Sequence, residues 1–313
     1  MKAFFYKFFV FFSIVILVCS IGLSLPFSKL EKESLFYVKL KKDSILKKTP
    51  SPRIIFIGGS NLSFGLNSKL VKDSLNFNPI NTGIHAAIGL EYMIKESLPH
   101  VRKGDIIILA PEYSNYFGDF MYGDMELMEI VKLDFFNNIS KLSFFQIANT
   151  VEFIIPIAFK RYLSLLKSSI ISNKKKADDL YSPRAFNEYG DVYIHWGMEK
   201  IEYEPYEKIN YSFNENSISK IIDFNKNLIK KEAKLFVTFP GFQDISYDNS
   251  NKKIKKVESA LKKTNLSILG KTSDYRIDDS LTFNTPYHLS KNGVDYRTKL
   301  FIKHFKNFKE NKK

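Results

Sequence analysis

The first apolar block lies at the start of the chain. Residues 8–25 carry no charge and are rich in Phe, Ile, Val and Leu. These 18 residues, at about 1.5 Å each, span roughly 27 Å, close to the hydrocarbon thickness of a bilayer. The pattern predicts an uncleaved membrane anchor over residues 1–25. A cleaved signal peptide is the competing reading, but no small-x-small site follows the run. Lys2 and Lys7 favour a cytoplasmic N-terminus, with the rest of the chain outside.

Residues 26–52 are rich in Lys and Ser with scattered apolar positions, and read as a stalk or an amphipathic linker helix. Beyond them, short apolar runs alternate with longer segments of helical period. Five runs read as buried strands: 53–58, running into Gly58-Gly59-Ser60; 79–83; 105–110, stopped by Pro111; 234–239, ended by Pro240-Gly241; and 266–269. Helices are expected near 66–75, 90–100, 218–229, 252–262 and 291–308. Strands alternating with helices imply a mostly parallel sheet covered on both faces, with function collected at the carboxyl ends of the strands. The expected fold is therefore α/β, a three-layer αβα sandwich over residues 53–313. Residues 118–211 break the rhythm. They hold an apolar helical part (127–166, with Pro156 inside) and then a polar, aromatic part. This reads as a helical insertion that caps the site and whose apolar character allows membrane contact. Glu152 and Lys160-Arg161 argue against a second transmembrane helix.

The 29 Phe and 17 Tyr are too many for a disordered chain. Lys and Arg outnumber Asp and Glu by 47 to 33, a formal charge of +14, which suits an anionic partner such as a lipid surface or an acidic polymer. Clusters stand at Lys174-Lys175-Lys176, among residues 252–256 and at the C-terminus. No recognition helix, zinc finger or RNA-binding signature accompanies them, so nucleic acid is not expected as a partner. The single cysteine, Cys19, lies inside the anchor, which excludes an intrachain disulfide and a cysteine-based zinc site. No metal-ligand spacing, phosphate loop or dinucleotide fingerprint is present, and no cofactor is expected.

Ser60 stands at a strand-to-turn junction, where glycines let the chain turn sharply and expose a nucleophile at the top of a sheet. A plain turn, a helix cap or a phosphate-binding loop fits the same residues. A nucleophilic serine needs a base within reach, and His288 lies in a loop just before the last helix. Taken together, these segments resemble the SGNH (GDSL-like) hydrolase superfamily. The likeness is to its envelope branch, which includes alginate O-acetyltransferase accessory proteins and the teichoic-acid D-alanylation protein. The resemblance covers roughly residues 53–109 and 278–300, and implies a flavodoxin-like sandwich. Ile57-Gly-Gly-Ser-Asn61 looks like the first block, with Ser60 as nucleophile. Asn81-Thr-Gly-Ile-His85 looks like the second, where Gly83 would offer an N–H to an oxyanion. Pro111-Glu-Tyr-Ser-Asn115 takes the place of the third, with Asn115 as a further donor, or Glu112 or Tyr113 in its stead. Tyr287-His288-Leu289 looks like the last, with His288 as base. The family's aspartate, three residues before the histidine, is here Thr285. Asn284 or Asp279 (with Asp278 nearby) are the substitutes at hand.

His85 either contacts substrate or caps locally. His195 and Trp196 form a carbohydrate-stacking platform or a packed loop. The resemblance implies a serine esterase or O-acyltransferase acting on acyl esters of cell-envelope polysaccharide. The alternative is a catalytically degenerate binding or assembly protein of a polysaccharide modification or export complex. The implied location is a bacterial-type inner (cytoplasmic) membrane, single-pass, with the C-terminal domain extracytoplasmic. A membrane-bound acyltransferase is an implied partner.

Overall fold

A computed structural model describes residues 1–170 and 179–310. The Lys174-Lys175-Lys176 cluster, part of the insertion and the C-terminal Lys312-Lys313 lie outside the described residues.

All five expected strands form, within one or two residues of the sequence pattern. They are β1 (Arg53–Gly58), β2 (Asn78–Asn81), β3 (Ile106–Ala110), β4 (Lys234–Thr238) and β6 (Ser267–Leu269). They pair in parallel in the order β2-β1-β3-β4-β6. Two further pieces of two residues each, β5 (Phe242–Gln243) and β7 (Arg276–Ile277), make a separate parallel pair. Runs so short leave no periodic trace in a sequence.

The period-2 alternation of strand side chains sorts the core into two layers. Ile55, Ile57, Ile107, Leu109, Leu235 and Val237 face one way. They share a cluster with Ile94 of helix Leu90–Ser97, Ile221, Phe224 and Leu228 of helix Glu215–Lys230, and Ile254 and Val257 of helix Asn251–Lys262. Ile54, Phe56, Ile106, Ile108 and Phe236 face the other way, onto Val71 of helix Ser68–Leu75 and Phe301, Ile302 and Phe305 of helix Lys291–Glu310. Both faces of the sheet are thus covered by helices, as the unbroken apolar runs require.

Helix Lys2–Ser24 is long and apolar enough to cross a membrane, and is the one such helix among the described residues. Its length agrees with the expected anchor. Residues 26–52 do not form a detached stalk. Helix Val38–Lys48 packs on the domain, burying Val38, Leu46 and the whole of Lys42. Lys42 Nζ donates to the carbonyls of Gly83 and Gly190 (2.8 Å to the latter) and sits 4.7 Å from the Phe186 ring centre. Lys42 thus pegs helix Val38–Lys48 to the domain.

The insertion is helical up to residue 170, through Met125–Val131, Phe135–Ile139, Phe144–Thr150 and Ile154–Ile170. Pro156 lies in the first turn of the last of these, where its missing N–H costs no helical bond. From Asp179 to Gly197 the chain runs in short 3₁₀ turns.

Candidate functional site

The strand order places β1 between β2 and β3, so the connections leave β1 and β3 toward opposite sides of the sheet. In open parallel sheets, the crevice at such a point, beyond the carboxyl ends of the strands, is where ligands bind. Ser60 follows β1 and Glu112 follows β3, at that edge. A cavity of about 580 Å³ opens there, in the range of small-molecule sites. Ser60, Phe64, His85, Glu112, Thr285 and His288 line it, with Phe36 from the N-terminal segment and Tyr181 and Tyr206 from the region after the insertion helices. Stretches far apart in the chain therefore build one site.

The turn after β1 is tight enough to demand glycine. A Cβ on Gly58 would lie 2.5 Å from the Ala110 carbonyl oxygen. One on Gly59 would lie 2.7 Å from Glu112 Oε1 and 2.9 Å from the Ala86 backbone. The close approach lets Glu112 reach the start of the short helix Ser60–Ser63. Ser60 Oγ donates to Glu112 Oε1 at 3.1 Å, and the Asn61 N–H donates to the same oxygen at 3.1 Å. The Ser60 backbone N–H also contributes to holding this carboxylate. Glu112 is nonetheless buried, and among the described residues it forms no ion pair. Burial raises its pKa to about 7, against the opposing pull of the Asn61 and Ser60 hydrogen bonds. A carboxyl group that titrates near neutrality thus occupies the N–H groups where an acyl oxyanion would bind.

His288 is 6% exposed and stacks flat on Phe64, with ring centres 4.0 Å apart and planes 9° apart. Its Nδ1 lies 2.8 Å from Asn284 Oδ1, while Asn284 Nδ2 donates to the Tyr181 hydroxyl at 2.7 Å. With its amide nitrogen committed to Tyr181, Asn284 offers His288 an acceptor. Nδ1 accordingly carries the proton, and Nε2 keeps a lone pair. Burial, with smaller contributions from His195 and His85, lowers the His288 pKa to about 3, so the ring is neutral at physiological pH. Neutral imidazole oriented by a carboxamide is chemically able to accept a proton from a nucleophile. Among the described residues, however, the hydrogen-bond partner of Ser60 Oγ is Glu112 and not His288.

The remaining expected residues fall in different places. The Gly83 N–H donates to Asn81 Oδ1 at 3.0 Å, so it is already committed and is not a free oxyanion donor. Its carbonyl accepts from Ser63 Oγ at 2.5 Å and from Lys42. Asn115 is fully buried; its Nδ2 donates to the Ala86 carbonyl at 3.1 Å, and the side chain supports the loop behind the cavity. Asp279 accepts from Gln243 Nε2 at 2.5 Å and from Lys200, in a surface network without His288, so the orienting partner is Asn284. His85 lines the cavity and caps locally: its Nδ1 accepts from the Ala87 N–H at 3.3 Å, with Phe36 edge-on at 6.1 Å. Burial lowers its pKa.

His195 and Trp196 do not form a sugar platform at this cavity. His195 is 1% exposed, packed between Phe64 and Phe283, with Nε2 3.0 Å from the Leu289 carbonyl. Burial lowers its pKa to about 4. Trp196 lies beneath Lys291, whose Nζ is 4.9 Å from the ring centre. No group of three or more His, Cys, Asp or Glu that could hold a metal occurs among the described residues. The most informative residue, Glu112, stands in a stretch where the sequence points first to Asn115, with Glu112 or Tyr113 in its stead. Pro111 directly after β3 marks the strand end, but which side chain turns into the crevice depends on the loop's path.

In comparison with known proteins, the chain matches no family model and no curated sequence.

Proposed function

We propose that this chain is a membrane-anchored serine esterase or O-acyltransferase of SGNH type that acts on acyl esters of cell-envelope polysaccharide. The carrying observation is the cavity at the carboxyl end of β1. It gathers a turn-borne serine, a neutral histidine with a free ring nitrogen, and a buried carboxyl group bound to the serine hydroxyl. In this reading Ser60 attacks the acyl carbon and His288 takes its proton. The N–H groups of Ser60 and Asn61 stabilise the oxyanion once Glu112 gives them up, which it does most readily when protonated and uncharged. His288 returns that proton to the alkoxide leaving group, which departs as an alcohol and leaves an acyl-enzyme. Water or a glycan hydroxyl then attacks, giving hydrolysis or transfer. The helix Lys2–Ser24 would tether the domain to the cytoplasmic membrane on its outer side, where a membrane-bound acyltransferase is a fitting acyl donor.

One observation favours a second reading, a non-catalytic binding or assembly protein. Glu112 already fills the anion position, and the Gly83 N–H is taken. A fluorophosphonate probe separates the two. The reading as an enzyme expects labelling of the full chain that disappears in Ser60→Ala and falls steeply in His288→Ala. An unlabelled but folded parent chain would move the assignment to the binding protein.

A further inference from the structure

Soluble helices turn polar residues outward, and the insertion does the reverse. Between residues 147 and 166 the large apolar residues that point outward are Ile147, Val151, Ile155, Phe159, Leu163 and Leu166, with Glu152 and Lys160 the exposed charged residues among them. They recur every three or four residues along a path that is helical throughout, from Phe144–Thr150 through the Val151–Phe153 turn into Ile154–Ile170. Phe144, at the start of this path, is 78% exposed. The opposite side of the same path is buried on the domain, through Gln146, Thr150, Ile157, Ala158 and Arg161. Among the described residues, nothing covers the outer side.

The position of this face identifies its cover. Helix Ile154–Ile170 is clamped to the last turns of helix Lys2–Ser24. A Cβ on Gly22 would lie 2.6 Å from the Tyr162 ring, so the two helices touch at that glycine. The Tyr162 hydroxyl donates to the Val18 carbonyl at 2.7 Å. Arg161 Nε donates to the Gly22 carbonyl at 3.0 Å, and its guanidinium lies 4.1 Å from the Phe27 ring centre. These contacts sit where a spanning helix ends. A second helix held there, with an exposed apolar stripe, is at the level of the bilayer surface.

We propose that the outer face of residues 144–166 lies in the lipid bilayer, beside the spanning helix. The domain is then held at two places, with its orientation to the membrane set by the insertion. Lys167, beyond Leu166 at the end of the stripe, is exposed, and Lys160 within it turns its ammonium to Glu129 at 3.2 Å. Long cationic side chains at such an edge keep their stems in the apolar layer and their charges among the headgroups. The chain's excess of positive charge suits an anionic lipid surface. A second copy is the less fitting cover, because the helix that carries the stripe packs against the last turns of helix Lys2–Ser24, itself exposed and apolar along most of its length. The inference does not depend on the reaction proposed for the cavity.

The test uses the full chain with Cys19→Ser, which removes its only cysteine. A single cysteine is then placed by Leu163→Cys, by Phe144→Cys or by Lys303→Cys, the last on the helix covering the opposite face of the sheet. Each is labelled with an environment-sensitive fluorophore and reconstituted into phosphatidylcholine–phosphatidylglycerol vesicles carrying brominated acyl chains. Labels at 163 and 144 are expected to be quenched severalfold more than the label at 303. Equal quenching at all three positions would overturn the proposal. Disulfide cross-linking of Leu163→Cys chains to each other, without lipid quenching, would overturn it in favour of a second copy.

Discussion

Two carboxylates stand at opposite ends of the same strand pair, and their surroundings differ. Asp105, just before β3, meets the buried Arg53 of β1. Arg53 Nε donates to Asp105 Oδ1 at 2.9 Å, and its terminal nitrogens reach Asp105, the Leu46 carbonyl and the His100 carbonyl, the last two at 2.8 Å. Asp105 also accepts from the Arg102 N–H at 2.7 Å. At this end every donor and acceptor is matched by a partner, charge by charge, in the manner of a structural lock. Glu112, just after β3, is buried with only N–H and O–H groups around one oxygen, and its pKa is pushed up to about 7. Stability alone gives no reason to bury a carboxyl group without a cation. Perturbed groups of this kind collect at functional sites, and this one touches the candidate nucleophile.

The contrast is broken most directly at the lock. Arg53→Met strands the Asp105 charge in the core, with an expected loss of about 3–5 kcal/mol and a thermal midpoint lower by roughly 10 °C. Adding Asp105→Leu should recover much of that loss. A single variant as stable as the parent would show that the pair locks nothing.

At the other end, changes should fall on reactivity more than on stability. Asn284→Asp places a charge beside His288 Nδ1, which should raise the histidine pKa from about 3 and stabilise the imidazolium formed as Ser60 gives up its proton. Probe labelling of Ser60 is expected to quicken by about tenfold or more, since the reverse exchange is severe in serine triads. Unchanged labelling would mean that His288 is not the base.

Glu112→Gln should have the smaller effect, and its sign depends on pH. Ionised above about 7, the parent carboxylate repels an oxyanion, so parent labelling should slow between about pH 6 and pH 8. The glutamine variant should label severalfold faster than the parent at about pH 8 and lose that dependence. Stability offers a separate check. The folded-state pKa of Glu112 is raised from 4.5 to about 7, so the folded state binds more protons in that window. The contribution of this group is therefore fully present below about 4.5 and is lost as pH rises to about 7, by on the order of 3 kcal/mol. His288 works the other way: its depressed pKa costs stability as pH falls from about 6.5 toward 3. A thermal-melt pH profile of Glu112→Gln that matches the parent's would refute the raised pKa.

Much of this architecture is legible in local pattern. Ile54–Ile57, Ile106–Leu109 and Leu235–Val237 are unbroken apolar runs because both faces of a parallel strand are buried, and each lies where it was expected. Glycines 58 and 59 mark the turn before Ser60 because only residues without a side chain tolerate the approach of Ala110 and Glu112. His288 and Asn284 could be linked because four residues of one loop separate them. Lys42 and Arg161 were not legible. Each is a charged residue in an ordinary polar pattern, buried only because a distant carbonyl or helix end accepts its protons. Gly83 differs: its N–H is taken by Asn81 two residues earlier, a local bond of the kind asparagine side chains commonly make.

The division follows from range. Hydrophobic period, helix length and glycine placement are set by neighbours a few residues away, so the long apolar N-terminal helix, the five parallel strands and the turn carrying Ser60 can be read from order alone. Which polar side chain faces the crevice, which N–H remains free and which apolar face stays uncovered depend on segments far apart in the chain. Ser60 meets Glu112 across 52 positions and Gly22 meets Arg161 across 139. Burial then alters what those groups can do, since a carboxyl group or imidazole removed from water has a different proton affinity from the same group in a loop.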